Sequence, residues 1–476
     1  MAIMASKQAL KGTCNDGFGH ANEQSQPAMP RYHHPQQPHL KWAIDLDRTT
    51  IKVWSGHQGP PDVLHYDNED EARATYESII RERLRAGWQN SNEPEEPFAL
   101  EDAVPHPGHP QLEKALREKP TERDRYLVYA DAILEAGDPR GELIMLHDRI
   151  RGNMKSPAAQ AQTTAFLTKH GAQIFGTRLW DCRDMMPDIE WRHGFVRSCR
   201  MCTNLERFNG LREDISVSEA LGWLLEAPVG HLLEGLVVGI VRYDQNDYSE
   251  ICDLLGRSGA PNLQTLYLGD FTYEETELNW STIGDASRLY SGVPNLRELT
   301  LRSGSMILGT IDLPQLRSFT TVTGGLDDDA AKAIACARWP HLETLSVQYG
   351  RGSQDACTDL SSVDPILMGT LLPSLRHLGI TNCEFTDELC LALPRAAILP
   401  RLSELDLSMG TMTEIGAQSL IDHRSAFAHL DKLIVEDNYL PPEIETPLQD
   451  ICKNVVFGEQ RDDEGDPDNR YASAFE

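Results

Sequence analysis

From Val196 to Phe457 the apolar residues recur in one frame. The clearest copy is Leu375-Arg-His-Leu378-Gly-Ile380-Thr-Asn-Cys383-Glu-Phe385. It fits L-x-x-L-x-L-x-x-N/C-x-L at every fixed position. Leu430, Leu433, Val435, Asn438 and Leu440 form a second full copy. The same frame starts at Val196, Leu233, Leu263, Leu296, Leu316, Leu342 and Leu402, at intervals from 20 (Leu296 to Leu316) to 37 (Val196 to Leu233). Apolar alternation over so few residues predicts a short strand with one face buried. In the copy at Leu263, Leu266 and Leu268 are expected to point inward, while Thr265, Tyr267 and Gly269 point the other way. The Asn/Cys position follows the strand, where the chain turns inward. There the Asn438 amide can satisfy buried backbone groups, and Cys383 fits as a small apolar residue with a weak donor. The copy at Leu316 is the weakest, because Thr321 stands where a leucine is expected.

Between strands the chain carries helix starts. Thr386-Asp-Glu-Leu, Thr413-Glu-Ile-Gly and Asp327-Asp-Asp-Ala-Ala each place a capping residue and acids ahead of an apolar period. Pro373 and Pro400 then end the return before the next strand. This pattern resembles the leucine-rich repeat. The resemblance implies an α/β solenoid over 191–458, with parallel strands on the concave side and helices on the convex side. Repeats of 26–33 residues with helical returns are similar to the ribonuclease-inhibitor subclass. No single repeat buries its own apolar face, so such an array is stable only as a stack.

Ahead of the repeats, residues 1–38 are rich in Gly, Pro, Gln, Asn and His and read as a disordered tail. His33, His34 and the adjoining His39 are expected to be solvated. Residues 39–88 alternate as two strands, Lys41–Asp47 and Thr50–Trp54, followed by a helix from Asp67 through Leu84 that Gly87-Trp88 ends. About fifty residues of this pattern resemble the WGR domain, which in poly(ADP-ribose) polymerases helps hold a DNA end. Here Ser55, Gly56 and His57 stand where Trp, Gly and Arg belong, so the fixed positive charge for a phosphate is missing. Residues 89–111 read as an exposed, acidic, proline-rich linker that includes His106 and His109.

Residues 112–190 carry Tyr126–Ala136, a Gly-Asp-Pro-Arg-Gly turn and a second helix from Glu142. The Tyr-Ala-Asp and Gly-Asp-Pro-Arg-Gly-Glu blocks resemble the helical repeat-companion domain of planctomycete and myxobacterial proteins. That likeness implies a cap over the first repeat's open edge. Within the turn, Asp138 and Arg140 are expected to tie to each other. Trp191-Arg-His-Gly194-Phe195-Val196 resembles the first strand that follows such a cap. Residues 459–476 hold seven acids and read as a solvated tail. From Leu375 onward the chain is similar to a bacterial repeat family with an acidic tail ending in a like Arg-Tyr block, here Arg470-Tyr471.

The formal charge is −29. That opposes partners bound by phosphate neutralisation, nucleic acid and anionic membrane alike. No apolar run approaches a transmembrane length, the N-terminus lacks a signal-peptide core, and scattered cysteines read as reduced thiols, all pointing to the cytoplasm. Cys199-Arg-Met-Cys202 has metal-ligand spacing, with Cys182 and His193 upstream. A strand, however, puts Cys199 and Cys202 on opposite faces, so no metal or other cofactor is expected. No catalytic constellation is legible. The expected function is therefore a non-enzymatic scaffold, a regulatory or inhibitory subunit of a bacterial signalling or defence pathway, gripping a protein on the concave face. Its contact candidates are Tyr267, Glu298, Arg302, Gln348, His377, Glu404, Asp406 and Glu436, and the acids among them suggest a basic patch on the partner. The alternative is a nucleic-acid-end sensor acting through the WGR-like stretch.

Overall fold

The computed structural model describes residues 31–34, 37–55, 61–85, 88–90, 103–204 and 215–472. The chain divides into two compact units, Met1–Tyr76 with Gly87–Pro97, and Glu77–Ala86 with Phe98–Glu476.

The first unit is an antiparallel sheet of β1 (Arg31–His34), β2 (Gln37–Asp47), β3 (Thr50–Ser55), β4 (Asp62–His65) and β5 (Gln89–Asn90), in the order β4-β3-β2-β1-β5. Trp42 and Ile44 on β2, with Ile51 and Val53 on β3, alternate into its core. Residues 31–38 were expected to be part of a disordered tail. Instead β1 pairs with both β2 and β5, and the Tyr32 ring lies 4.9 Å from Trp42. Ladder pairing needs no apolar period, and one buried aromatic suffices to anchor this strand. Residues 1–30 lie outside the described residues, as do Gly56 and His57 of the WGR-like motif. Helix α1 (Glu69–Arg85) is capped by Asn68, whose Oδ1 accepts from Glu71 N at 2.8 Å.

The second unit opens with the last part of α1, where Arg81 and Arg85 each donate to the buried Asp181 carboxylate at 2.9 Å. Four longer helices follow: α2 (Pro110–Glu118), α3 (Arg123–Glu135), α4 (Arg140–Ile150) and α5 (Pro157–Phe175). The short α6 (Thr177–Asp181) ends this group. Asp138 and Arg140 form a buried ion pair at the α3–α4 turn. The stretch Ala103–His109, expected as exposed linker, lies against these helices. Ala103 N donates to Thr177 Oγ1 at 2.8 Å, Thr177 N returns a bond to Ala103 O, and Arg140 reaches His106 O at 3.2 Å. These are backbone contacts, which a proline-rich composition does not advertise.

The repeats supply β6 (Asp188–Arg192), β7 (Phe195–Met201), β8 (Gly235–Val238), β9 (Asn246–Asp247), β10 (Thr265–Leu268), β11 (Ser281–Asp285), β12 (Glu298–Arg302), β13 (Ser305–Ile307), β14 (Ser318–Val322), β15 (Thr344–Gln348), β16 (His377–Thr381), β17 (Glu404–Asp406), β18 (Lys432–Ile434) and β19 (Val455–Val456). Eleven of them form one sheet, β19-β18-β17-β16-β15-β14-β12-β10-β8-β7-β6, parallel from β7 to β19. All nine frame starts lead into strands of this sheet, eight of them two residues before the strand begins. Only β6, hairpinned to β7 through His193 and Gly194 at φ 45° and 81°, and the terminal β19 lie outside the frame. The strands β9, β11 and β13 make a small parallel sheet of their own.

One apolar core runs from Leu143 in the helical cap to Ile451 near the last strand. Returns are helical at Val217–Glu226, Asp328–Cys336 and Glu414–Asp422, with Ser216, Asp327 and Thr413 as side-chain caps. Thr386 differs from the expected cap: it lies inside its helix, donates to Cys383 O at 2.8 Å and accepts from Thr411 N. The expected solvated tail also differs. Residues 459–472 pack on the repeats and Ala472 is fully buried.

Candidate functional site

Strand register decides what the outward positions can do together. One row runs Ser198, Gly235, Thr265, Glu298, Ser318, Thr344, His377, Glu404, Lys432. The next runs Arg200, Val237, Tyr267, Thr300, Thr320, Ser346, Gly379, Asp406, Ile434. The middle of this surface is therefore a floor of hydroxyls and one glycine, with strands spaced about 4.8 Å apart. Larger side chains stand at its two ends.

The candidates fall into three groups. His377 and Glu404 come together, with His377 Nδ1 3.5 Å from Glu404 and Lys432 Nζ 3.2 Å from the same carboxylate. This cluster spans β16 to β18. Asp406 stands beside it in the second row, its Oδ1 accepting from Ser408 N at 2.9 Å. Glu298 and Tyr267 face the same surface at the other end. Burial, outweighing the nearby Arg302, raises the Tyr267 hydroxyl above its ordinary pKa.

Arg302, another contact candidate, is engaged within the chain. Its guanidinium lies 4.2 Å over the Phe271 ring and donates to Phe271 O at 2.6 Å and Gly269 O at 3.3 Å. It holds the loop after β10. Gln348 sits past the floor, in register with the buried Thr381, and its amide oxygen is buried without a partner among the described residues. Glu436 lies beyond β18, where Gly458, at φ +62°, brings the backbone close to its side chain.

The chain's end borders this site. Arg461 stacks on Tyr439 and Tyr471 and donates to carbonyls after β17 and β18, while Arg351 donates to Ala472 O at 2.9 Å. The tail thus lies along the loops at the strand C-termini. The pattern could not reveal it, because it is held by cation–aromatic stacking and bonds to carbonyls.

The four weighed metal ligands are held separately. Cys199 is inward and buried, and burial pushes its thiol up to about 12. Cys182 is buried as well. Cys202 receives Arg200 at 3.0 Å, and the His193 ring lies 4.6 Å from Tyr126. Among the described residues no group of three or more His, Cys, Asp or Glu side chains is placed to hold a metal. Among the same residues no helix is long and apolar enough to cross a membrane.

No family model and no curated protein matches the chain. Among solved structures it is similar to a protein of Bacteroides fragilis, at 19% identity and a TM-score of 0.50, covering 91% of this chain and 97% of that one. It also aligns with an internalin of Listeria monocytogenes at 13% identity and a TM-score of 0.28, covering 59% of this chain and 92% of that one. The first likeness speaks to the fold alone, and the second carries no argument. The mixed α/β build, the large parallel sheet and the match of frame to strand make the fold a leucine-rich-repeat-like solenoid.

Proposed function

We propose that this chain is a non-enzymatic scaffold that takes a partner protein on the concave face of its repeats, as a regulatory or inhibitory subunit. One observation carries the reading. Thr300, Thr320, Ser346 and Gly379 lie side by side on four successive strands and run into the charged cluster of His377, Glu404 and Lys432. Small side chains let a helix or strand approach closely, and charges at one end fix its direction. Glu404 and Asp406 favour a basic patch on the partner. Cys199, Cys252 and Cys383, each pushed up to about 12 by burial, are tuned away from nucleophilic chemistry.

Residues 39–88 are read as the WGR-like module, kept for packing or protein contact. A chain of charge −29 lacks the electrostatic term that drives DNA binding. Salt-sensitive binding of DNA ends by the full chain would overturn that part.

The test fills the floor. The full chain serves as bait in its native host, and a captured protein is identified and its affinity measured. Thr320→Trp and Ser346→Trp place bulk on the floor and are expected to weaken that complex at least tenfold. Unchanged affinity in both variants would sink the reading.

A further inference from the structure

We infer that the loop from Asp270 to Trp280 is a second contact surface, shaped to take a lysine- or arginine-bearing segment of the partner protein. The inference rests on the protein-binding reading above and adds to it a place and a chemistry. Tryptophan is highly buried on average, yet Trp280 is 62% exposed and Tyr273 is 59% exposed. Neither lies on a slack segment. Phe271 and Leu278 from the same loop are buried with Ile240 in a small core of their own.

The loop is also pinned by polar contacts. Arg302 stacks on Phe271 and bonds to its carbonyl. Thr272 N donates to Glu275 at 2.8 Å, Trp280 N donates to Glu277 O at 3.1 Å, and Ser281 Oγ donates to Leu278 O at 2.6 Å. A partner meeting rigid aromatic side chains loses little ordering entropy.

The polar groups around these rings set the ligand. Asp270 is engaged by Arg200 and Glu275 by Thr272. Glu274 and Glu277 have no cationic partner among the described residues, and both are exposed. Aromatic faces beside unpaired carboxylates suit an ammonium or guanidinium group, through cation–π attraction and charge-assisted hydrogen bonds. The surface is continuous with the concave face. Tyr267 is on the strand that feeds the loop, and Arg302 on the next strand bridges to it.

The probe is a fluorescein-labelled twelve-residue peptide of alternating Lys/Arg and Gly/Ser, titrated against the full chain near physiological salt. Trp280→Ala and the Tyr273→Ala/Trp280→Ala pair leave the net charge unchanged, so loss of binding cannot come from overall charge. We expect a roughly tenfold or greater loss, in keeping with aromatic anchors at interfaces. Glu274→Gln/Glu277→Gln should weaken binding and flatten its salt dependence. Glu118→Gln/Glu443→Gln, an equal charge change elsewhere, should do neither. Equal binding by wild type and both aromatic variants would overturn the inference and show attraction by bulk charge. Ser346→Trp separates the two readings: if it abolishes peptide binding while Trp280→Ala does not, the peptide sits on the concave floor and only the loop assignment fails.

Discussion

The guanidinium of Arg461 lies 4.4 Å over the ring of Tyr439 and donates to that residue's hydroxyl at 3.2 Å. The same group donates to Asp437 O at 2.9 Å and to the carbonyls of Gly410 and Tyr471. One side chain thus fastens the C-terminal segment to two repeats. Arg461→Ala removes all of these bonds together. We expect a stability loss of about 1–3 kcal/mol. Hydrogen exchange should show residues 462–472 losing protection while β14 to β17 keep theirs. Unchanged exchange in the segment would mean that Arg351, bonded to Ala472 O, and the Tyr439 hydroxyl, which accepts from Tyr471 N, hold it without Arg461.

Asn438 plays the part its place in the frame predicts. It is fully buried, its Oδ1 accepts from Met412 N at 2.9 Å, and its Nδ2 donates to Leu407 O at 2.9 Å and Val435 O at 3.1 Å. Asn438→Ala strands an amide and two carbonyls away from water, at a cost of about 2–4 kcal/mol. Asn438→Asp keeps the acceptor for Met412 N but loses both donations and buries a carboxyl group. Urea titrations should show both variants unfolding well below wild type, and a loss under 1 kcal/mol for Asn438→Ala (roughly one net hydrogen bond) would contradict the assignment.

The repeats were readable because burial and spacing leave a periodic mark. Leu345, Leu378, Leu405 and Leu433 occupy the same position of the frame and are all essentially inaccessible. What the frame missed is held otherwise. Strand β1 depends on ladder bonds and on Tyr32 against Trp42, and Ala103–His109 on bonds to Thr177 and Arg140. The site was partly legible: alternation identified which residues face outward, and register adds which of them are neighbours. Alternation could not foresee that Arg302 folds back onto Phe271, because a long side chain finds its partner across strands. A second repeated feature also escaped. Asn382, Met409 and Asp437, each seven residues into its repeat, share a left-handed backbone at φ 51°, 61° and 58°.

Thr321 tests the weakest repeat. It is fully buried on β14, in register with Leu301 and Val347, and its hydroxyl has no hydrogen-bond partner among the described residues. A buried polar group without a partner costs about 1–3 kcal/mol. Valine has nearly the same shape and keeps the β-branched preference for a strand. Thr321→Val is therefore expected to raise stability by about 1 kcal/mol, read as a higher urea midpoint at unchanged slope. A fall in the midpoint would show that the hydroxyl has a partner, such as a bound water.

His147 links the helical cap to the hairpin that starts the sheet, and it makes that link sensitive to acid. Its ring is buried on α4, Nδ1 accepts from Gly194 N at 3.0 Å, and Nε2 lies 3.3 Å from Thr163 Oγ1. Nδ1 must then be unprotonated in the native state, with the proton on Nε2. Burial, with a smaller contribution from the nearby His193, lowers its pKa from the ordinary 6.5 to about 4. The unfolded chain therefore binds a proton on this ring that the folded chain refuses between those two values. The stabilisation is complete above pH 6.5 and is lost progressively as pH falls towards 4. The full loss corresponds to about 3 kcal/mol. Glu113, buried yet held below its ordinary 4.5 by hydrogen bonds from His231 and Tyr129, contributes stability that is present above 4.5 and is lost as pH falls below it, so it steepens only the acid end of the window, with or without His147. Urea midpoints measured across it should fall steeply for wild type. His147→Gln, which retains an acceptor but cannot titrate, should start lower at neutral pH and give a flatter profile. Parallel profiles for the two proteins would show that acid acts on the fold elsewhere.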